Sequence, residues 1–202
     1  MKIILASKSP RRYDILKNNG YNLEIVPSDF DEKINGKVYS DELVINCAYQ
    51  KALDVKNKVG DNKLIVSADT VVVNNNLILG KPKDKMEAQQ MLADLSNKTH
   101  FVATAICLIY QGKIFKGIEK TYVTFRKLSK TDIINYINTK NPLDKAGSYG
   151  IQDEGFDFAT KVEGEIDNVI GFPMKLFNNG LLCNFHLQLD SLDWHSSWFL
   201  YQ

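Results

Sequence analysis

The chain has 202 residues, of which 44% are hydrophobic and 24% are charged, and this length and composition predict a globular protein with a buried core. The formal net charge of +1 excludes a generally basic nucleic-acid-binding protein, so that any positive site must be a local cluster. Three widely spaced cysteines without a Cys-x-x-Cys pair, and no apolar run long enough for a membrane span, indicate a soluble cytoplasmic protein.

Taken in chain order, apolar and β-branched runs alternate with segments of helical spacing. The sequence predicts strands over residues 2–6, 21–26, 64–73, 101–110 and 113–128. Helices are predicted over residues 10–19, 40–58 and 85–95, from Ser129 to before Pro142, and shortly after Pro173. Ser9 is expected to cap the first helix, Ser129 and Asp132 to form a capping box, and residues 111–112 to form a hairpin turn. Early alternation with a late hairpin predicts an α/β fold with a central mixed sheet flanked by helices.

The first candidate site is the segment "LASKSPRR", residues 5–12, where a strand leads into a helix. Free backbone N–H groups at a helix start favour anions, and the guanidinium groups of Arg11 and Arg12 match phosphate oxygens. Two exposed arginines on a helix would explain the pattern equally well. The segment is not a Walker A loop, because Gly-x-x-x-x-Gly-Lys-Ser/Thr occurs nowhere in the chain.

The second candidate is the carboxylate of Asp69 in "VSADTVVV", which ends an apolar rise along a predicted central strand. Burying a carboxylate there is costly unless it is hydrogen-bonded, coordinates a metal or acts as a base. Taken alone, an aspartate that holds backbone amides at a strand bulge is the better explanation. Lys81 follows in "GKPKD", where a surface lysine beside a turn is again the simpler reading.

Other polar residues complete a pattern suited to phosphate chemistry. The loop pair Asp31–Glu32 suits a hard cation such as Mg²⁺, Lys51 lies on the long second helix, and the Gln152 amide could read a base edge. Each could instead be a solvated surface group or a turn cap. The three histidines lack metal-ligand spacing, and Gly-x-Ser-x-Gly is absent, which leaves cations, carboxylates and metal as the available chemistry.

Six ordered motifs then identify a family resemblance covering roughly residues 3–177. The segments "LASKSPRR", "SADTVVV", "ILGKPKD", "EAQQMLADLS", "DKAGSYGIQ" and "NVIGFP" resemble the Maf family of nucleoside triphosphate pyrophosphatases, also called septum-formation-inhibitor proteins. The resemblance implies one α/β domain over residues 1–202, with an elongated mixed sheet and two lobes around a cleft, similar to inosine triphosphate pyrophosphatases. It also implies metal-dependent hydrolysis of a nucleoside triphosphate to the monophosphate and pyrophosphate, and a homodimer.

The resemblance also assigns residues to roles. It implies that Asp69 is the proton acceptor, that Glu32 and Asp69 hold a divalent metal, Mg²⁺ or Mn²⁺, and that Lys81 acts with them. Three residues fall on specificity positions and resemble the branch acting on dTTP and UTP: Arg11, Thr70 and Gln152. The positions lining the phosphate and metal end are Ser7, Arg12, Glu32, Lys51 and Lys81. The chain departs from the family pattern at residues 103–106, where "ATAI" replaces a Thr-Gly step, and in the tail, residues 181–202.

Two rival functions stay open at this point. One is a non-catalytic regulator of cell division that binds nucleotides or nucleic acid. Asp69 and Glu32 argue against it, because carboxylates repel a phosphate ligand unless metal is present. The other is a broad pyrophosphatase that removes inosine-type triphosphates or 7-methyl-GTP.

Overall fold

The computed structural model describes residues 2–35 and 37–185. Seven strands form its sheet: β1 Lys2–Leu5, β2 Asn22–Ile25, β3 Ile65–Asn74, β4 Leu77–Leu79, β5 Thr99–Tyr110, β6 Lys113–Phe125 and β7 Ala159–Glu163. The helices are α1 Pro10–Asn18, α2 Asp41–Val59, α3 Lys85–Leu95, α4 Lys130–Thr139, α5 Ile166–Ile170 and α6 Met174–Gly180. A turn of π-helix, Leu181–Phe185, continues α6.

The strands form one mixed sheet in the order β2-β1-β3-β5-β6-β7, with β4 also paired to β3. β1 runs parallel to β2 and β3, while all other pairs are antiparallel. The mixed α/β fold predicted from the sequence is therefore confirmed. Its two-lobed division stays a prediction, and residues 186–202 of the tail lie outside the described residues.

Helices cover both faces of the sheet. On one face, α2 buries Val44, Ala48 and Ala52 against the odd-numbered side chains of β3, such as Val71. On the other face, α1 and α6 pack on even-numbered residues such as Val66, and α3 and α4 form a third cluster. This alternation follows from the two-residue period of a strand and places neighbouring side chains of β3 on opposite faces.

Local signals fix several element ends. Ser40 accepts a hydrogen bond from Leu43 N at the start of α2, and Ser129 and Asp132 form the predicted capping box of α4. The β5–β6 turn uses positive φ at Gln111 (47°) and Gly112 (76°), as a two-residue hairpin requires.

The structure differs from the sequence predictions in several details. Ser9 occupies the predicted N-cap position of α1, but its side chain makes no cap hydrogen bond within the described residues. The strand predicted to reach residue 128 ends at Phe125, and β7 was not predicted. The sequence pattern does not reveal β7, because its five residues "ATKVE" are few and several of them are polar and exposed. Within the described residues, no helix has the length and apolar character needed to cross a membrane.

Candidate functional site

The candidate site forms at a gap along one edge of β3. On its other edge, β3 pairs continuously with β5 from Ile65 to Val73. On the gapped edge, β1 pairs only at Ile65 and Val66, and β4 begins only at Val72. Within the described residues, the intervening segment 67–71 has no strand partner on that side. A cleft of about 300 Å³ opens there.

This gap explains how adjacent residues of opposite orientation reach one cleft. Asp69 lies on the α2 face of the sheet, and Thr70 lies on the opposite face with Arg12 and Gly171. A complete neighbouring strand would separate the two faces. Because β1 ends first, the cleft crosses the sheet edge and is lined by both residues. Asp69 is therefore in the middle of a regular strand opposite Ala105, and the bulge explanation is wrong.

The nine residues that the family resemblance assigns to a site all line this cleft, whereas Asp31, the other member of the loop pair Asp31–Glu32, is not among the lining residues. They come from the β1–α1 turn, the first turn of α1, the loop before α2, α2 itself, β3, the loop after β4 and the loop before β7. The nine are Ser7, Arg11, Arg12, Glu32, Lys51, Asp69, Thr70, Lys81 and Gln152. The structure brings them together, and their individual roles stay predictions.

On the α2 face, two carboxylates meet one ammonium group. Lys51, on the buried side of α2, donates to Asp69 Oδ1 at 2.5 Å and to the Ala68 carbonyl at 3.3 Å. The same ammonium forms an ion pair with Glu32, which arrives from the loop before α2. Lys51 therefore compensates the charge of both acids inside the cleft.

The two carboxylates have different electrostatic environments. Burial raises the pKa of Asp69, and the negative charge of Glu32 adds to this rise, while Lys51 opposes it. For Glu32, burial also favours the neutral acid, but Lys51 and Arg12 outweigh it and lower the pKa. Asp69 is consequently the more basic of the two acids, which suits a group that accepts a proton.

The carboxylates also fit a hard divalent cation. Asp69 Oδ2 is buried and has no hydrogen-bond partner within residues 2–35 and 37–185. The same residues contain no group of three or more His, Cys, Asp or Glu side chains arranged to hold a metal. A two-carboxylate site matches Mg²⁺, which commonly takes one or two protein carboxylates and completes its shell with phosphate oxygens and water.

On the opposite face, Arg12 is fixed by three protein acceptors. Its Nε donates to Gly171 O at 2.9 Å, Nη1 to Ser7 Oγ at 3.1 Å, and Nη2 to Thr70 Oγ1 at 3.0 Å. Burial lowers the pKa of Arg12, against the attraction of Asp69 and Glu32. An arginine stays charged over the physiological pH range. Arg12 therefore places a fixed positive charge on this side of the cleft, and two of its five N–H groups are not used by these three hydrogen bonds.

Arg11 is held by a different acid. Its Nη1 donates to Asp144 Oδ2 at 3.0 Å and its Nη2 donates to the Asp144 carbonyl at 3.1 Å. This pair ties α1 to the loop that carries Gln152. Asp144 was not predicted as a site residue, although it begins the motif "DKAGSYGIQ".

A tyrosine of α4 holds the loop that carries Gln152 through hydrogen bonds on either side of this residue. The Tyr136 hydroxyl of α4 donates to Asp153 Oδ2 at 2.5 Å and accepts from Gly150 N at 2.8 Å. The nearly buried Lys145 ammonium donates to Asn141 O at 2.6 Å and lies 3.5 Å from Asp153 Oδ2. Gln152 between these anchors is exposed and lines the cleft.

The cleft is more positive than the whole chain. Six cationic and three acidic side chains line it, leaving a local charge of +3 against +1 overall: Lys8, Arg11, Arg12, Lys51, Lys81 and Lys145, with Glu32, Asp69 and Asp144. The sequence analysis did not assign Lys8, Lys145 and Asp144 to the site. Their positions within the motifs "LASKSPRR" and "DKAGSYGIQ" could have indicated that they lie there. This concentration attracts a polyanion.

Comparisons with known proteins add independent information. The family described as Maf-like protein matches residues 2–182. A dTTP/UTP pyrophosphatase from Alkaliphilus oremlandii is 44% identical over 193 residues, covering 95% of this chain and 99% of the relative. Another dTTP/UTP pyrophosphatase, from Pyrococcus abyssi, is 44% identical over 174 residues, covering 86% and 91%. A solved nucleoside-triphosphatase (dITP/XTP pyrophosphatase) from Mycobacterium abscessus is 18% identical, covering 63% of this chain and 76% of that chain, with a TM-score of 0.43.

Proposed function

Because this chain belongs to the family of Maf-like proteins, we propose that it hydrolyses dTTP and UTP to the nucleoside monophosphate and pyrophosphate. The names of relatives that share 44% of their residues with it support the substrates. The observation that carries the chemistry is the buried Asp69 carboxylate, held by Lys51 within a positively charged cleft.

The triphosphate binds through the cations of the cleft. Arg12 offers its two unused N–H groups from a fixed position, and Lys81 reaches the cleft from the loop after β4. Ser7 contributes the start of the phosphate cradle before α1. Within residues 2–35 and 37–185, Lys81 has no acidic partner within ion-pair distance, so its ammonium is available to a phosphate.

Asp69 is the proton acceptor. A water oxygen bonds to the α-phosphorus while the bond from that phosphorus to the bridging oxygen of the β-phosphate breaks. The water proton passes to the Asp69 carboxylate, and pyrophosphate leaves with the bonding electron pair. The raised pKa of Asp69, caused by burial and the charge of Glu32, makes it a stronger base than an exposed aspartate. Neighbouring cations stabilise the charge that develops on the phosphate oxygens.

Glu32 and Asp69 would hold the divalent metal, Mg²⁺ or Mn²⁺. When bound, such an ion neutralises phosphate charge and polarises the reacting phosphate. The unpartnered Asp69 Oδ2 and the lowered pKa of Glu32, which is set by Lys51 and Arg12 against burial, support this pair of ligands.

Three residues choose the base. Arg11, Thr70 and Gln152 come from three different segments around the cleft, and the paired Arg11–Asp144 contact holds the first near the loop of the third. A side-chain amide such as Gln152 offers both a donor and an acceptor to a base edge.

The test is pyrophosphate release from dTTP, UTP, CTP, ITP and 7-methyl-GTP with Mg²⁺. Efficient release from dTTP and UTP, and slow release from the others, supports the proposal. Comparable rates on ITP or 7-methyl-GTP would replace it with a broad pyrophosphatase. Nucleotide binding without pyrophosphate release would replace it with a non-catalytic regulator.

The remaining expectations concern where and with whom the protein works. A homodimer, a cytoplasmic location and the absence of a nucleic-acid partner stay predictions. All three cysteines are free, which supports a reducing compartment.

A further inference from the structure

A buried row of hydrogen bonds connects Thr70 in the cleft to the interior. Thr70 Oγ1 lies 3.0 Å from Thr104 Oγ1 on β5, and Thr104 Oγ1 lies 3.0 Å from the backbone carbonyl of Asn168 in α5. Thr104 is completely buried and Thr70 is half-buried beside the cleft. Thr104 itself does not line the cleft within the described residues.

The carbonyl at the inner end sets the direction of this row. A carbonyl oxygen can only accept, so the single hydroxyl hydrogen of Thr104 points to Asn168 O. Thr70 must then donate its own hydrogen to Thr104, and Arg12, which can only donate, gives an N–H to Thr70. The order of donation runs from Arg12 through Thr70 and Thr104 to Asn168.

The opposite direction satisfies fewer groups. Thr70 could send its hydrogen to Gly171 O only at 3.4 Å, and that carbonyl already accepts from Arg12 Nε at 2.9 Å. Thr104 would then leave the buried Asn168 carbonyl without its partner, which is expensive in the interior. Asn168 is itself fixed, because its Nδ2 donates to Val102 O at 3.0 Å and to Thr121 Oγ1 at 3.1 Å.

We propose that Thr104 is a positioning residue that commits the hydroxyl hydrogen of Thr70 to the interior. Thr70 then presents only an acceptor lone pair to the cleft. Its hydrogen points to Thr104, and its second lone pair accepts the hydrogen bond from Arg12 Nη2. A ligand group opposite Thr70 must therefore donate a hydrogen bond. The residue that touches the ligand is Thr70, and Thr104 acts through it.

This polarity selects among pyrimidine bases, and here the inference rests on the proposed function. Uracil and thymine carry an N3–H donor, whereas cytosine carries a bare N3 acceptor at the same place. An acceptor facing N3 satisfies uracil and thymine and repels cytosine. A threonine hydroxyl that was free to rotate would accept either base, so the selectivity depends on Thr104 and not on Thr70 alone.

The test compares kcat/KM for UTP with that for CTP in wild type and Thr104→Val. Valine keeps the shape of threonine and frees the Thr70 hydrogen. We expect the ratio of kcat/KM for UTP to kcat/KM for CTP to fall at least about fivefold. This change is at the lower end of the effect expected when one buried hydrogen bond is misdirected. Thr104→Ser keeps the hydroxyl and is expected to keep the wild-type ratio. An unchanged ratio in folded Thr104→Val overturns the proposal.

Thr121→Val is the matched control. Thr121 is buried in the same polar network, where it accepts from Asn168 and donates to Glu165 O at 3.0 Å, but it does not contact Thr70. Thr121→Val is expected to leave the ratio unchanged; an equal fall in both variants would show a structural effect and overturn the proposal.

If Thr104→Val does not fold, Thr104→Cys, whose thiol is a weak donor and acceptor, must lower the ratio. A wild type without pyrophosphate release refutes the proposed function, whereas an active wild type with insensitive Thr104 variants refutes this inference alone.

Discussion

The ammonium of Lys51 lies 2.5 Å from the carboxylate of Asp69, and these residues are only 6% and 1% exposed. The pair connects α2 to the middle of β3, at the one stretch of that strand's edge where no neighbouring strand lies among the described residues. Two carboxylates share this single cation, because Glu32 pairs with the same group. Stability and chemistry therefore depend on the same contact.

Removing the cation should destabilise the fold. Lys51→Met removes the ammonium that pairs directly with the buried Asp69 and with Glu32, and breaking such a pair typically costs about 3–5 kcal/mol. Urea denaturation at pH 7 measures the change in the free energy of unfolding. In Lys51→Met combined with Asp69→Asn, the loss should be smaller than the sum of the single losses. Additive losses would mean that the two side chains do not interact energetically.

Neutralising Asp69 should stop hydrolysis while the fold remains. Asp69→Asn keeps the shape of the side chain but cannot accept the proton from water, and losses of roughly 10²–10³-fold in turnover are typical for one preorganised group. Pyrophosphate release from dTTP provides the measurement, with Asp94→Asn, an exposed aspartate of α3, as the control. Near-normal turnover in Asp69→Asn would show that another group takes the proton.

Lys81 allows a sharper comparison within one loop. Lys81→Ala should nearly abolish hydrolysis, because it removes a cation that lines the cleft. Lys83 is two residues away, exposed and not among the lining residues, so Lys83→Ala has the same change of net charge without the loss of a phosphate contact. Steady-state kinetics on UTP distinguish the two variants. Equal losses would indicate a general effect of charge and would contradict a direct role for Lys81.

The sequence predicted most of the strands and helices because each of these has a local cause. The capping residues Ser129 and Asp132 and the turn at residues 111–112 act within a few positions of the chain. Family motifs then collected nine residues that do line one cleft.

What the sequence could not predict is non-local. The gap at the edge of β3 depends on where β1 ends and β4 begins, and the Thr70–Thr104 contact joins residues 34 positions apart. Likewise, the partner of Arg11 is 133 positions away. Local patterns give no information on such pairings, which arise only when the sheet assembles.

Replacing the amide of Gln152 should change substrate preference more than rate. In Gln152→Ala the ranking of dTTP, UTP and CTP should shift, because the amide no longer distinguishes correct from incorrect base edges. Glu154→Ala, an exposed change two residues further along the same loop, should leave the ranking unaltered. Competition between paired substrates gives the ratio of kcat/KM directly. A ranking that survives Gln152→Ala would remove this residue from base recognition.

The last prediction concerns acid stability and involves His100 on β5. Its side chain is buried, Nε2 contacts the Tyr149 hydroxyl at 2.7 Å, and Nδ1 has no hydrogen-bond partner within residues 2–35 and 37–185. Burial lowers the pKa of His100 to about 4, since a protonated ring would carry an unsatisfied N–H and an uncompensated charge. In the unfolded chain a histidine titrates near a pKa of about 6.5.

The unfolded state therefore binds the extra proton first as the pH falls. The stabilisation by neutral His100 is complete above about pH 6.5 and is lost progressively down to about pH 4, with a total of about 3 kcal/mol. His100→Gln cannot titrate and keeps a polar group near Tyr149, so its free energy of unfolding should fall less steeply over this range. Urea denaturation of both proteins at several pH values between 4 and 7 measures the difference between their free energies of unfolding. The titration of the carboxylates, which both proteins share, cancels in this difference. Parallel pH profiles would mean that His100 is already accessible to protons in the folded protein.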